Sequence, residues 1–563
     1  MKLFKNIKKW LENQEHLFYL FLFILIVPNI VLCFTEPLSF IAKVCNVLLP
    51  FGCYYLLMTL SRNCGKMLWI LFLFLFFGAF QIVLLYLFGQ SIIAVDMFLN
   101  LVTTNSSEAM ELLGNLTPAI VVVVILYIPA LVLATISIVR KRMLSAAFIR
   151  RERKRAFVVF GVSLLSLAGA YVQDPGYELK SDLYPLNVCY NVGLAFQRTA
   201  LTQNYHHTSK DFTFHAQATH PEEKKEVYVM VVGETSRALN WQLYGYERET
   251  NPLLVQQSGL VAFPKVLTES NTTHKSVPML LSDVTACSYD SIYHRKGIIT
   301  AFKEAGFRTA FFSNQRFNHS FRREADTFDF IKEDSLDFSY NPSDNELLKL
   351  VEQELAKGAK KQFIVLHTYG SHFNYRERYP SGDAFFTPDY PVEAERKFRD
   401  NLVNAYDNSV RYTDSLLARL IGMLENQGTD AALIYTSDHG EDIFDDPRHL
   451  FLHASPVPSY YQLHIPFLIW MSDSYREAYP EHWEAVTANK EKNISSSSSF
   501  FPTMLDLGGI KTPYRDDSQS VATPLYKMRP RVYLNDHNEP RPLDDLGMKK
   551  QDFHMLEKQE INT

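Results

Sequence analysis

The sequence predicts an N-terminal membrane domain of five helices, followed by an α/β domain with a mostly parallel sheet between helices. Three observations lead to this prediction. Apolar residues crowd into the first third of the 563-residue chain. Beyond that third, short apolar, β-branched runs alternate with stretches of helical period. Two of these runs, VYVMVVG and AALIYTS, end abruptly at Glu234 and at Asp438-His439.

Five apolar stretches have about the 20 residues that a helix needs to cross a bilayer. They cover residues 16–34, 38–60, 66–89, 117–139 and 156–173. Basic residues cluster before the first stretch, between the second and third, and between the fourth and fifth. With five spans, all three clusters lie on one side, which places the C-terminal domain on the outer face. We therefore predict a transmembrane domain at 1–173, a linker at 174–226 and an outer domain at 227–563.

The loop between the third and fourth spans carries a polar stripe on the outer side. Asn100, Thr104 and Glu108 are four residues apart, so they share one face if the loop is helical. The stripe is either the wet side of a surface helix or a pocket for an amine-bearing lipid headgroup, with Glu108 facing the ammonium. Periodicity leaves both readings open.

The outer domain shows the alternation typical of a covered parallel sheet. The predicted strands are 227–233, 308–313, 362–367, 431–437, 465–471 and 531–535, with helices at 342–357 and 397–426. We expect a polar loop at Ser495–Ser499 and a loose tail after about residue 540. The net charge of −5 does not suggest a nucleic-acid binder. A disulfide between Cys189 and Cys287 is compatible with the sequence but not indicated by it.

The candidate chemistry lies where strands end. Glu234, Asp438 and His439 offer oxygen and nitrogen ligands suited to zinc or a similar divalent ion, with Thr273 as a fourth oxygen. A threonine is a weak nucleophile unless a metal or base lowers its pKa. His372 and His453 would then act near the oxygens of a transferred phosphoryl group, as ligands of a second metal or as direct donors.

Four motifs resemble the lipid A phosphoethanolamine transferases, a family that includes the mobile colistin-resistance enzymes. The motifs are GETSRALNWQLYGYERETNP (233–252), TTHKSVP (272–278), LHTYGSH (366–372) and TSDHGE (436–441). The resemblance implies a multi-pass protein of the bacterial inner membrane with an alkaline-phosphatase-like domain in the periplasm. It implies a monomer that moves phosphoethanolamine from phosphatidylethanolamine to a lipopolysaccharide or other periplasmic glycan acceptor.

The same resemblance assigns roles to residues. Glu234, Asp438 and His439 match the family's zinc ligands, and Thr273 matches the catalytic threonine that carries the covalent intermediate. His372 and His453 match residues of a second metal or phosphate site, so one or two zinc ions are expected. The stripe of Asn100, Thr104 and Glu108 matches residues that hold the donor headgroup, which favours the pocket reading.

Two departures leave the acceptor open. Members related to colistin resistance flank the threonine with paired cysteines, where this sequence has Glu269 and Met279. A His-Asp-Asn-like segment before the last conserved helix is replaced by serines. The alternatives are a phosphodiesterase or sulfatase-like hydrolase, a phosphoglycerol transferase of the lipoteichoic-acid type, and a non-catalytic membrane sensor. A sulfatase would need a CxPxR-type motif, which the sequence lacks, and the LYGYxRxTNP stretch argues against a phosphoglycerol transferase.

Overall fold

The chain forms two compact units, one ending at Gln197 and the other beginning at Arg198. The structure, a computed structural model, describes residues 10–36, 38–88, 93–98, 116–174, 177–315, 321, 324–331 and 342–562. The predicted domain boundaries at 173 and 226 remain predictions, because compactness alone does not define a linker.

Long apolar helices dominate the first unit. They are α1 (Gln14–Thr35), α2 (Phe40–Met58), α3 (Cys64–Ile70), α4 (Phe72–Phe88), α5 (Thr117–Val139) and α6 (Ala146–Gln173). Among the described residues, four of them are long and apolar enough to cross a membrane, and α3 with α4 makes a fifth if the pair is one span. The axes of that pair differ by 63°. The predicted architecture of about five spans in a multi-pass membrane protein is therefore confirmed.

The structure adds two details to these predictions. The helix that contains the predicted fifth span begins ten residues before residue 156, at Ala146, because the hydroxyl of Ser145 caps the helix by accepting from the Phe148 amide at 3.0 Å. The basic residues between the fourth and fifth spans are thus helical, and the buried Glu152 among them accepts from Arg151 at 2.7 Å. The linker predicted at 174–226 contains α7 (Leu186–Gln203).

The second unit is built on a seven-stranded sheet. Its strands are β1 (Glu226–Gly233), β2 (Leu260–Ala262), β3 (Arg308–Ser313), β4 (Thr327–Phe330), β5 (Lys361–His367), β6 (Asp430–Ser437) and β7 (Phe467–Met471). Their order in the sheet is β2-β7-β6-β1-β5-β3-β4. Among these seven strands, only β7 runs in the direction opposite to the other six. The predicted mostly parallel sheet is therefore confirmed.

Helices cover both faces of this sheet. The longer ones are α8 (Thr273–Leu280), α9 (Ile298–Glu304), α10 (Glu346–Leu355), α11 (Arg399–Glu425), α12 (Pro480–Asn489), α13 (Ser496–Leu507) and α14 (Lys550–Lys558). Alternate residues of β1 enter different cores, since Met230 packs in the cluster that contains α9 and α13 while Val229 packs with α10 and α11. Burial on both faces explains why β1 is apolar throughout.

Two local expectations were wrong, and a predicted strand lies outside the main sheet. The serine run is not a loop, because Ser496 begins α13. The strand predicted at 531–535 is present as Val532–Leu534, and it pairs with Pro540–Pro542 outside the main sheet. The tail is ordered, since Asp552 of α14 accepts two hydrogen bonds from Arg448, at 2.6 and 2.8 Å.

Candidate metal centre and nucleophile

The carboxyl edge of the central strands brings distant residues together. Gly233 at the end of β1 pairs in register with Ser437 at the end of β6, so Glu234 and Asp438 leave the sheet side by side. The amide of Asp438 donates to the carbonyl of Gly233 at 3.1 Å, which continues the ladder one step past the strands. The site therefore lies where open α/β sheets place their ligands.

Glu234, Asp438 and His439 form a buried cluster whose ligand atoms all lie within 4.8 Å of one another. His439 Nε2 is 3.4 Å from Glu234 Oε1 and 3.2 Å from Asp438 Oδ2. The Nδ1–H of His439 donates to the carbonyl of Gly440 at 3.0 Å, which leaves the Nε2 lone pair facing the carboxylates. Two carboxylates and an imidazole in this arrangement fit a divalent cation such as zinc.

The electrostatics of the cluster point the same way. Burial alone would raise the pKa of Glu234, but the neighbouring imidazoles outweigh burial and hold it at about 2. Burial and the nearby charge of Glu234 raise the pKa of Asp438 well above its usual range. Two adjacent buried carboxylates are costly to ionise together unless a cation lies between them.

Thr273 faces this cluster from the first turn of α8. Its hydroxyl Oγ1 is 3.2 and 3.3 Å from the two carboxylate oxygens of Glu234 and 3.2 Å from Nε2 of His439. The side chain is half-buried, whereas the three residues of the cluster are buried. Thr273 is thus the member of the group that remains accessible from outside.

His372 and His453 lie beside the cluster. The rings of His453 and His439 are 4.2 Å apart between centroids, and those of His372 and His453 are 5.9 Å apart. Burial lowers the pKa of His372 to about 4, so this imidazole is neutral at neutral pH. His453 Nδ1 lies 3.8 Å from a carboxylate oxygen of Glu441. Imidazoles at these positions can ligate a second metal or donate to phosphate oxygens, and both roles remain proposals.

Three further residues support the cluster, of which Gln315 and Thr235 were not predicted. The amide of Gln315 donates to Glu234 Oε2 and to the carbonyl of Thr368, both at 2.8 Å. The hydroxyl of Ser276 donates to Asp438 Oδ2 at 3.3 Å, and the amide of Thr235 donates to Asp438 Oδ1 at 3.1 Å. Gln315 follows a predicted strand, but no motif marks it. Ser276 is a candidate from the sequence, because it lies three residues after Thr273 in the same polar segment.

Glu269 holds the segment that precedes Thr273. Its side chain is buried and accepts from the amide of Ser498 at 3.1 Å, from the hydroxyl of Ser498, and from the amide of Ala286 at 2.8 Å. Its backbone carbonyl accepts from the amide of Leu534 at 2.8 Å. One buried carboxylate thus joins the nucleophile segment to the first turn of α13 and to the segment at Ala286.

The predicted headgroup residues and the two exposed cysteines lie apart from the metal cluster or outside the described residues. Asn100, Thr104 and Glu108 lie outside the described residues, so their role as a headgroup pocket remains a prediction. Cys189 and Cys287 are exposed free thiols, and the four other cysteines of the chain are free as well. The pairing that the sequence left open is therefore not present.

Known proteins resemble the chain at two levels. The sulfatase family model matches residues 226–510. Phosphoethanolamine transferase EptA of Salmonella typhimurium is 28% identical over 319 residues, which cover 54% of this chain and 57% of that protein. EptC of Escherichia coli is 27% identical over 331 residues, covering 56% of each. The chain thus spans little more than half the length of the curated relatives it matches.

Solved structures extend the likeness. The C-terminal periplasmic domain of EptC from Escherichia coli in complex with Zn superimposes with a TM-score of 0.54 at 25% identity, covering 60% of this chain and 97% of that domain. The integral membrane protein EptA from Neisseria meningitidis gives a TM-score of 0.70 at 21% identity, covering 90% and 97%, a likeness of fold alone. With just over half of its residues matched by the family model, the chain belongs to the sulfatase family, within the alkaline phosphatase superfamily.

Proposed function

We propose that the protein is a zinc-dependent phosphoethanolamine transferase that uses Thr273 as its nucleophile. The observation that carries the proposal is the placement of the Thr273 hydroxyl 3.2 Å from both Glu234 and His439, beside a buried carboxylate pair. The names of the relatives, EptA and EptC, support the group transferred. The Zn complex of the EptC domain supports the metal.

Glu234, Asp438, His439 and Thr273 would hold the zinc ion. When bound, zinc supplies positive charge that lowers the pKa of a hydroxyl and stabilises charge developing on phosphoryl oxygens. Glu234 and His439 orient the Thr273 hydroxyl, since both lie within hydrogen-bonding reach of it. The imidazoles of His372 and His453 would bind the phosphoryl oxygens, or hold a second metal that does so.

Two displacements at phosphorus complete the transfer. In the first, Thr273 Oγ forms a bond to the phosphorus of phosphatidylethanolamine, the diacylglycerol oxygen leaves with a proton, and phosphoethanolamine stays on the threonine. In the second, an oxygen of the acceptor attacks the same phosphorus and Thr273 Oγ is released. A lipopolysaccharide, through lipid A or its core, is the proposed acceptor.

The proposed location is the bacterial inner membrane, with the second unit in the periplasm. The distribution of basic residues between the spans supports this orientation. The similar EptC domain from Escherichia coli is a periplasmic domain, which supports the same orientation. A loop outside the described residues, with Asn100, Thr104 and Glu108, would hold the donor's ethanolamine headgroup, and the active unit is proposed to be a monomer.

The test is a search for a covalent adduct on Thr273 by mass spectrometry. Full-length protein in detergent is incubated with phosphatidylethanolamine and zinc and then digested. We expect a phosphoethanolamine mass on the peptide containing Thr273, absent after EDTA treatment and in Thr273→Ala. A glycerol-phosphate adduct from another lipid would replace the proposal with a phosphoglycerol transferase. Release of free phosphoethanolamine without transfer to any acceptor would indicate a hydrolase.

A further inference from the structure

Over its first three turns, helix α7 exposes apolar residues and buries two asparagines. Residues Leu186, Cys189, Tyr190, Gly193 and Phe196 are exposed and recur at helical spacing on one face. Phe196 is 73% exposed, whereas the polar Asn187 and Asn191 are 1% and 3% exposed. A helix in water shows the opposite arrangement, with its polar residues outside.

The buried face of α7 packs on the ends of membrane spans. Val188 and Ala195 share a core cluster with Leu32 of α1, Leu84 of α4 and Leu116, which directly precedes α5. On the same face, the side-chain amide of Asn191 donates to the carbonyl of Ile93 at 2.8 Å. Asn191 therefore helps to hold α7 against the bundle of spans.

Apolar residues are also exposed at the end of span α6, where lipid would cover them. Tyr171 and Val172, at the end of span α6, are 46% and 85% exposed in the same unit. Only twelve residues separate the end of α6 at Gln173 from the start of α7 at Leu186. The exposed residues of this face carry no charge, and Lys180 Nζ lies 5.7 Å from the Tyr190 ring centroid. Aromatic residues with a neighbouring lysine, beside the ends of spans, are typical of a helix at the membrane–water interface.

We propose that α7 lies in the plane of the membrane, with the face of Leu186, Cys189, Tyr190, Gly193 and Phe196 immersed in the bilayer surface next to the outer ends of the spans. Its proposed occupant is lipid. The inference is independent of the proposed transferase activity, since it rests on the packing and polarity of α7.

The two exposed cysteines of the chain provide an internal test. Cys189 lies on the proposed lipid face, and Cys287 lies on the surface of the sheet-containing unit. Two full-length chains are made that keep only Cys189 or only Cys287, and each is labelled with an environment-sensitive fluorophore. They are reconstituted into vesicles of phosphatidylethanolamine and phosphatidylglycerol, with and without lipids spin-labelled near the headgroup.

We expect the probe on Cys189 to emit at shorter wavelength than the probe on Cys287 and to lose about half of its intensity to the spin-labelled lipids. Equal emission from the two sites would overturn the proposal. A blue-shifted Cys189 probe that lipid does not quench would also overturn it, because a protein surface would then cover the face.

A second measurement avoids any substitution. The unmodified chain in lipid nanodiscs is treated with a bulky, membrane-impermeant maleimide, and the modified peptides are quantified by mass spectrometry. The bilayer should protect Cys189 while Cys287 reacts, and both should react after the lipid is removed by a denaturing detergent. Reaction of Cys189 at the rate of Cys287 in nanodiscs would refute the immersion of α7.

Discussion

Replacing Glu269 by alanine tests how the nucleophile segment is held. The change removes the acceptor of the Ser498 and Ala286 amides, bonded at 3.1 and 2.8 Å, and of the Ser498 hydroxyl. Each buried amide left without a partner costs about 1–3 kcal/mol. Burial raises the pKa of Glu269, so removing this carboxyl also returns part of its desolvation cost. We expect a net loss of about 2–4 kcal/mol in the free energy of unfolding.

The assay is thermal unfolding of the full-length protein in detergent with zinc present. For a domain of this size the loss corresponds to a fall in Tm of roughly 3–5 °C. Glu269→Gln should lie between the wild type and Glu269→Ala, because its amide group must face one of the donors that the carboxylate accepted. The matched control is Glu477→Ala, at an exposed position, with a Tm near that of the wild type. A Tm for Glu269→Ala equal to that of the control would refute the reasoning.

Three further outcomes are expected. Gln315→Ala should weaken zinc binding about 10–100-fold in a chelator competition, since Glu234 loses an orienting hydrogen bond. Gly370→Ala should abolish adduct formation on Thr273, because the new Cβ would lie 2.5 Å from the Glu234 carbonyl oxygen and Gly370 has a φ of +53°. The control Gly382→Ala should leave adduct formation unchanged, because a Cβ at that position meets no atom within 4 Å. Burial lowers the pKa of His464 to about 4, so the unfolded state binds a proton more readily than the folded state as the pH falls. The free energy of unfolding, measured by urea titration, should therefore fall by about 3 kcal/mol between pH 6.5 and 4. The fall should be smaller in His464→Gln.

The sequence was informative where apolar strands end in ligands. The run before Glu234 predicted β1 to within one residue, and the Asp438-His439 pair predicted the tip of β6 equally well. Both follow from burial on two faces, which leaves a signal along the chain. Gln315 could not be found in this way, because its partner Glu234 lies 81 residues away and only the sheet order brings them together.

The same limit explains the errors. Helix α7 was missed because its exposed face is apolar and its buried face mixes Asn187 and Asn191 with Val188 and Ala195, so it lacks the pattern that identifies a helix on a soluble domain. The serine run reads as a loop by composition, yet α13 begins there because Glu269 accepts from the amide and hydroxyl of Ser498. In both cases, contacts with residues distant in sequence determine the structure, and a local sequence pattern does not reveal such contacts.

The separation of the ligands along the chain has a consequence for the order of assembly. Thr273 is 39 residues from Glu234 and 166 residues from His439. An unfolded chain offers only the adjacent Asp438 and His439 as a local pair, and closing loops of this length around an ion costs chain entropy before any ligand is gained. We therefore expect the sheet to form first and zinc to bind a preformed site. The ion could then be removed and added back without unfolding the protein.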